Sequence, residues 1–347
     1  MKQLREIEIA NNPKLVENIK VRSRLNLETR LYFAQGDYIE TETPLITPET
    51  GIGPSRVFVT YEPKQVFLRT TDTDYLRRLL VGGFDSTFQL SKHFRKSDNN
   101  HKSYPEFTQL SIAKRGINYK ELMYIVKDYM AEMAKILNGS TSVDAFGQTI
   151  DLSHNWTELP VREAIEKYVG LDVDRNLTPN ELKSSMLEKG ITLPTGADKF
   201  TGILKYTILM EHLLDTFVIP NYKGALFLTE YPSQLGGPGM EVDGKSEYKQ
   251  RGEVFFNGIE LVNSVSSQTN GKKLRDVYED TLYHELNSGQ FEGKKLDEEY
   301  MQSMALGMPP SAAMSIGYDR FLMMLTSSKD IKDVITFPIF SLREEKK

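Results

Sequence analysis

The sequence contains no cysteine. That excludes disulfides, thiolate nucleophiles and cysteine-bound zinc, and it suits an intracellular, cytoplasmic protein. Histidine is scarce, five residues in all, with no metal-ligand spacing. His154, His212 and His284 read as structural or surface residues, while His93 stands two before an arginine in a predicted strand. No apolar run approaches the ~18 residues that span a bilayer, and the charged start Met1-Lys2-Gln3-Leu4-Arg5 lacks a signal-peptide core. No membrane partner is expected. Basic residues are not in excess either: 43 Lys+Arg against 48 Asp+Glu leave a net charge of −5 and no long basic block. Such a balance speaks against tRNA or another nucleic acid as an obligatory partner. What is present is ordinary for a globular protein: 39% hydrophobic and 26% charged residues over 347 positions. That length accommodates one large domain with an embedded insertion, or two modest ones.

Asn12-Pro13 reads as an N-cap followed by proline at the first helical position, opening a helix to about Gln35. Tyr38 to Thr43 follows as a strand stopped by Pro44, then Val66 to Thr71 as another, and Asp74 to Val81 as a short helix closed by Gly82-Gly83. Phe84 to Arg95 and Glu106 to Lys114 read as strands around a polar loop, Lys96 to Tyr104. Leu122, Val126, Tyr129, Met130, Met133 and Leu137 hold helical spacing up to the stop at Asn138-Gly139. Residues 155–221 read as a mostly helical insertion. Strands return at Ala225 to Thr229 and Glu253 to Val265, and helices at Lys273 to Leu286, Glu298 to Leu306 and from Tyr318. Mixing without a regular βαβ alternation predicts an α+β fold, an antiparallel sheet flanked by helices.

Three constellations carry chemistry. Asn257-Gly258 between apolar strands is a strong hairpin signal, a two-residue type I′ turn. In that register Phe256 pairs with Ile259, Phe255 with Glu260 and Glu253 with Val262, which sets Glu253 and Glu260 on one face as diagonal neighbours roughly 7–8 Å apart. Two carboxylates sharing one space suit Mg²⁺ supported by substrate phosphates; a solvated sheet face is the alternative. Arg95, at a strand end, can grip a carboxylate or phosphate bidentately. Phe107 on the returning strand can stack a purine, and His101 and Lys102 in the loop can reach phosphate oxygens; surface charge and a core aromatic explain them as well. Finally, Gly317-Tyr318-Asp319-Arg320 leads an apolar run, where an arginine is costly unless it meets an anion.

In this order the segments resemble the signature motifs of class II aminoacyl-tRNA synthetases, in the lysyl/aspartyl/asparaginyl branch. Tyr38-Ile-Glu-Thr-Glu-Thr-Pro44 resembles motif 1, which builds a homodimer interface in that family. Phe94-Arg95 through Pro105-Glu106-Phe107-Thr108 resembles motif 2, and Gly317 through Leu325 motif 3. Further matches are Leu79-Leu-Val-Gly-Gly-Phe84, Thr229-Glu-Tyr-Pro232 and Gly307-Met-Pro309. The similarity runs from about Pro13 to Pro338. It implies a synthetase-like catalytic domain over 1–347, ATP and Mg²⁺ as cofactors, and activation of an acid as its adenylate. Arg95 takes the place of the arginine bridging the α-phosphate and the substrate carboxylate, Phe107 of the adenine-stacking aromatic, and Arg320 of the arginine on the other side of adenine. Glu253 and Glu260 match the paired Mg²⁺ ligands.

The helix of motif 1 begins near residue 13, so no anticodon-binding domain is expected, an architecture similar to the elongation factor P lysine ligase. The substrate pocket departs from the lysine enzymes. Thr73, Ser111 and Ser267 stand where their pocket carboxylates stand, with Asn263 opening the last of these segments; Ser97 and Ser103 replace a glutamate and a histidine of motif 2. An ammonium needs carboxylate partners, so the reading is an adenylate-forming ligase for a different acid, transferring to a small molecule or a protein. Lysine ligation to elongation factor P is one alternative. A non-catalytic, regulatory paralogue is another.

Overall fold

A computed structural model describes residues 4–47, 58–61, 64–95, 100–154, 156–288 and 294–338. Helix α1 (Arg5–Asn11) runs into α2 (Pro13–Gln35), which starts where expected: Asn12 accepts the amides of Lys14 and Leu15, and Pro13 occupies the first turn. Short strands β1 (Ile39–Glu40), β2 (Ile46–Thr47), β3 (Phe58–Tyr61) and β4 (Lys64–Leu68) lead to α3 (Thr73–Val81). A long hairpin, β5 (Ser86–Phe94) and β6 (Glu106–Arg115), precedes α4 (Tyr119–Asn138), whose capping box is Asn118 with Glu121. After the small hairpin β7 (Ser142–Ala145) and β8 (Gln148–Asp151) comes β9 (Thr157–Pro160), then α5 (Val161–Val169), α6 (Pro179–Glu188) and α7 (Gly202–Leu213). A π-helical turn, Leu214–Val218, prolongs α7. The chain returns through β10 (Ala225–Pro232), β11 (Glu241–Val242), β12 (Lys245–Phe256) and β13 (Ile259–Ser266), and closes with α8 (Gly271–Asn287), α9 (Glu298–Ala305), β14 (Ser311–Gly317) and α10 (Tyr318–Leu325).

The main sheet runs β1-β5-β6-β14-β13-β12-β10-β9, with β11 beside β12. Its interior pairings are antiparallel. Both edges, β1 on β5 and β9 on β10, are parallel. The expected antiparallel sheet is therefore a mixed one, because the edge strands are supplied by distant segments instead of by hairpins. One of them, β9, opens the stretch read as mostly helical; four residues ending in proline give little strand signal.

Side chains alternate across the sheet. One face, with Leu110, Ile112, Val254, Phe256, Met314 and Ile316, packs on α2, α4 and α10 in the largest hydrophobic core. The opposite face packs twice. Ala113 and Ala313 meet Leu76, Leu80, Tyr278 and Tyr300 of α3, α8 and α9, while Leu226, Leu228 and Phe255 meet Val161, Ile165, Tyr206 and Leu209 of α5 to α7. Between these two helix groups the sheet presents Arg251, Glu253, Asn263, Ser315 and Ser111, residues too small or too polar to seal it. That gap is the cleft. Leu27, Leu31 and Ile39, at 50%, 45% and 50% exposure, leave apolar surface along α2 and β1. Among the described residues no helix is long and apolar enough to cross a membrane.

Candidate active site

Strand pairing builds the nucleotide-facing wall. His93 lies opposite Phe107, and the Arg95 amide donates to the Pro105 carbonyl at 2.9 Å, so Arg95 and Phe107 emerge side by side. The Arg95 guanidinium carbon stands 5.3 Å from the centre of the Phe107 ring. Its Nη2 reaches the Thr70 carbonyl at 3.4 Å, but its buried Nε has no hydrogen-bond partner. Burial, with the repulsion of Arg320, lowers its pKa against the attraction of Glu260. An anion is what this guanidinium lacks.

Arg320 enters the same cavity of about 250 Å³ from the first turn of α10, together with Lys102, Ser103, Glu260 and Asn263. Its Nη1 donates to the Glu260 carbonyl at 2.7 Å and lies 3.7 Å from the Glu260 carboxylate. Its Nε donates to the Lys102 carbonyl at 3.0 Å, tying α10 to the loop of the β5–β6 hairpin. The preceding residue does the anchoring. Asp319, 2% exposed, pairs with Arg22 of α2 and accepts the Thr108 amide at 2.7 Å.

The Asn257-Gly258 turn forms with both φ angles positive, 46° and 83°. Phe256 faces Ile259 and Phe255 faces Glu260 as expected, but a bulge then shifts the register, so Glu253 faces Asn263 and not Val262. The correction matters chemically. Asn263 now donates to Glu253 at 2.7 Å, and Tyr231 and Arg251 donate to the same carboxylate. Desolvation first, and the charge of Glu253 second, raise the pKa of Glu260, against Arg320, Arg95 and Arg251. Two oxygen ligands that repel each other, with donors already orienting one, fit a Mg²⁺ ion completed by phosphate oxygens. Among the described residues no group of three or more His, Asp or Glu could hold a metal, so phosphate would supply the rest of the shell.

A second cavity of about 500 Å³ adjoins the first through Asn263 and Ser315. Thr73 lines it from α3 and Glu211 from α7. Ser111 and Ser267 do not line it. Ser111 is fully buried under the floor and accepts from Gln109 at 2.8 Å; Ser267 lies behind Arg77, whose Nε reaches its hydroxyl at 3.3 Å. His101 is also elsewhere, exposed on the far side of the loop where its carbonyl accepts the Ile331 amide. Ser97 lies outside the described residues. Three residues that sequence reasoning passed over now stand in the cavity: Arg77, Lys249 and Glu211. Arg77 is buried and paired with Asp74 at 2.8 Å. Desolvation and the nearby Glu253 charge push the Glu211 carboxyl up to about 7. Lys249 and Arg251 share the face of β12 that carries Glu253, a two-residue period that could have revealed them; nothing local marks Glu211.

The family described as tRNA synthetases class II (D, K and N) matches residues 2–341. A protein named lysine–tRNA ligase from Clostridium perfringens (strain SM101 / Type A) is 29% identical over 338 residues, covering 96% of this chain and 66% of that one. One of the same name from Trichormus variabilis is 29% identical, with 96% and 59% covered. One from Moorella thermoacetica is 28% identical, with 98% and 69% covered. The chain thus spans just under two thirds of the Clostridium relative and less of the Trichormus one.

Proposed function

Because the chain belongs to the class II tRNA synthetases of the D, K and N group, we propose that it activates a carboxylic acid as its adenylate with ATP. The observation that carries this is the under-partnered Arg95 facing Arg320 and Glu260 beside Phe107 in one cavity. In this reading adenine stacks on Phe107, Arg95 spans the α-phosphate and the acid, and Arg320 meets the outer phosphates. A carboxylate oxygen of the acid bonds to the α-phosphorus as the α–β anhydride bond breaks and pyrophosphate leaves. The chain supplies alignment and positive charge where negative charge builds up, without a nucleophile of its own. Mg²⁺ held by Glu253 and Glu260, when bound, neutralises phosphate charge. Residues 155–221 act as an insertion that walls the cleft with α7. Two copies pair through the exposed Leu27, Leu31 and Ile39, and sedimentation at twice 39.6 kDa checks that.

The acid differs from lysine. Thr73 replaces a pocket carboxylate, Ser111 and Ser267 are covered by Gln109 and Arg77, and Arg77 brings a cation to the wall. Asp74 is spent on Arg77 and Asp72 is fully buried, so neither compensates. Of the other carboxylates on the wall, Glu285 is tied to Lys294 at 2.9 Å, and Glu211, raised to about 7, is only partly ionised near neutral pH, so an ammonium would meet a weakened counter-charge there. Against this stands the name of the relatives, which favours lysine as the second reading, with a protein lysine or another amine as acceptor. ATP–pyrophosphate exchange over a panel of acids decides. We expect exchange with a non-lysine acid and little with lysine or β-lysine. Strong lysine exchange would establish the second reading, and ATP binding without any exchange would leave a regulatory paralogue.

Glu260→Gln tests the carboxylate pair. Losing one charged ligand should weaken Mg²⁺-dependent nucleotide binding at least about tenfold. Since the pKa of Glu260 is raised, protons compete with the cation, and wild-type affinity should tighten as pH rises from the carboxylate range; the variant should lose part of that slope. Calorimetric titration of Mg²⁺ with a non-hydrolysable nucleotide reads both. Identical curves for the two proteins would remove the metal assignment.

A further inference from the structure

Behind the Arg95–Phe107 wall lies a pair of ionisable side chains with no exposure at all, Asp72 and His93. His93 Nε2 is 3.4 Å from Asp72 Oδ1, an electrostatic contact without hydrogen-bond geometry that leaves both ring nitrogens without a hydrogen bond, and Asp72 Oδ2 accepts the Ser91 hydroxyl at 3.0 Å. Contacts with His93, Ser111 and Arg69 keep the carboxyl below its ordinary range although burial pushes it upward. The His93 ring stacks on Phe107, centroids 5.8 Å apart and planes at 29°. Asp72 is the residue that opens α3, the helix that brings Thr73 and Arg77 to the second cavity. The segment before it is laced to the end of β5: the Phe94 amide donates to the Arg69 carbonyl at 3.0 Å, Arg69 Nε to the Lys92 carbonyl at 3.2 Å, and Arg95 to Thr70.

We propose that Asp72 and His93 form a positioning pair for the nucleotide step, Asp72 orienting the imidazole and the imidazole setting the plane of Phe107 and the strand end that carries Arg95. Neither residue touches a cavity. A buried carboxylate facing an imidazole is an expensive way to fill space, since replacing such a pair by apolar residues is often neutral or stabilising. What the pair offers is a fixed ring orientation, because an aromatic neighbour held by a charged partner cannot rock freely. The carboxylate sits at the head of the helix that walls the acid site, and the imidazole sits under the ring that takes the base.

The inference rests on the adenylate-forming reading, so the experiment separates the two. Wild type, His93→Phe, Asp72→Asn and the double variant are compared in ATP–pyrophosphate exchange, with thermal unfolding alongside. His93→Phe keeps a flat ring and loses the partner; Asp72→Asn keeps the shape and loses the charge. Each should raise the KM for ATP on the order of tenfold or more, the scale of a small misplacement, with the KM for the acid changed much less. The double variant should be no worse than either single one, because the coupling is already lost. Should His93→Phe fail to fold, Asp72→Asn carries the same test. Unchanged KM for ATP in folded variants, or equal changes in both KM values, overturns the pair. A wild-type protein that binds no adenine nucleotide overturns the function and the pair together.

Discussion

Arg95→Ala should lower adenylate formation by about 10²–10³-fold or more, the usual effect of removing one preorganised charge donor, and should leave the protein folded. The second half follows from the same geometry as the first. The Arg95 side chain makes one long hydrogen bond, to the Thr70 carbonyl, and its Nε makes none. Burial and Arg320 both work against its charge. Little native stability depends on it, and relief of the repulsion between the two arginines offsets the packing lost over Phe107. Pyrophosphate exchange and thermal unfolding on one preparation decide the matter. A lost midpoint would make Arg95 a structural residue, and retained exchange would remove the strand-end arginine from the chemistry.

Asp319→Ala is the complementary case, a large loss of stability from a residue outside the reaction. Its carboxylate is 2% exposed, pairs with Arg22 and accepts the Thr108 amide, joining α2, β6 and α10. Removing one member of a buried ion pair costs about 3–5 kcal/mol. Arg22 is 16% exposed and partly rehydrates, so the lower end is expected. Urea unfolding reads it directly, and a loss under about 1 kcal/mol would class the pair with ordinary surface contacts. Because Arg320 is the next residue, the variant should also bind nucleotide more weakly at temperatures where it is folded.

Local chemistry made part of this molecule readable in advance. Asn12-Pro13 and Asn257-Gly258 announce a helix start and a hairpin, and each forms where its side chains dictate. Arg95, Phe107, Glu260 and Arg320 meet because they sit at strand ends and at a helix start, positions that motif order identifies. The rest depends on tertiary contacts. Strand β14 is Ser-Ala-Ala-Met-Ser-Ile-Gly, with Ile316 as its one β-branched residue. It is a strand because β6 and β13 flank it and because small side chains are all that fit between the cleft and α3. The bulge beside Phe255 arises where β12 also carries β10 on its other side, which no turn residue encodes. Depth was equally hidden: Thr73, Ser111 and Ser267 look equivalent in the chain, yet one lines a cavity and the others lie behind Gln109 and Arg77.

The π-helical turn after α7 has a consequence for the cleft. Leu214–Val218 holds one residue more than a regular α-helical turn would need. Each residue advances a helix by about 100°, so this extra one sets the rotational phase of everything before it. Ile203, Thr207 and Glu211 point into the acid cavity, while Tyr206, Leu209 and Leu213 point into the core. With an unbroken α-helix, the same sequence anchored at Val218 would be rotated by more than a quarter turn, swinging the carboxylate away from the cavity. The inward aim of Glu211 is therefore written in the residue count of a segment, Leu214–Val218, that itself lines neither cavity.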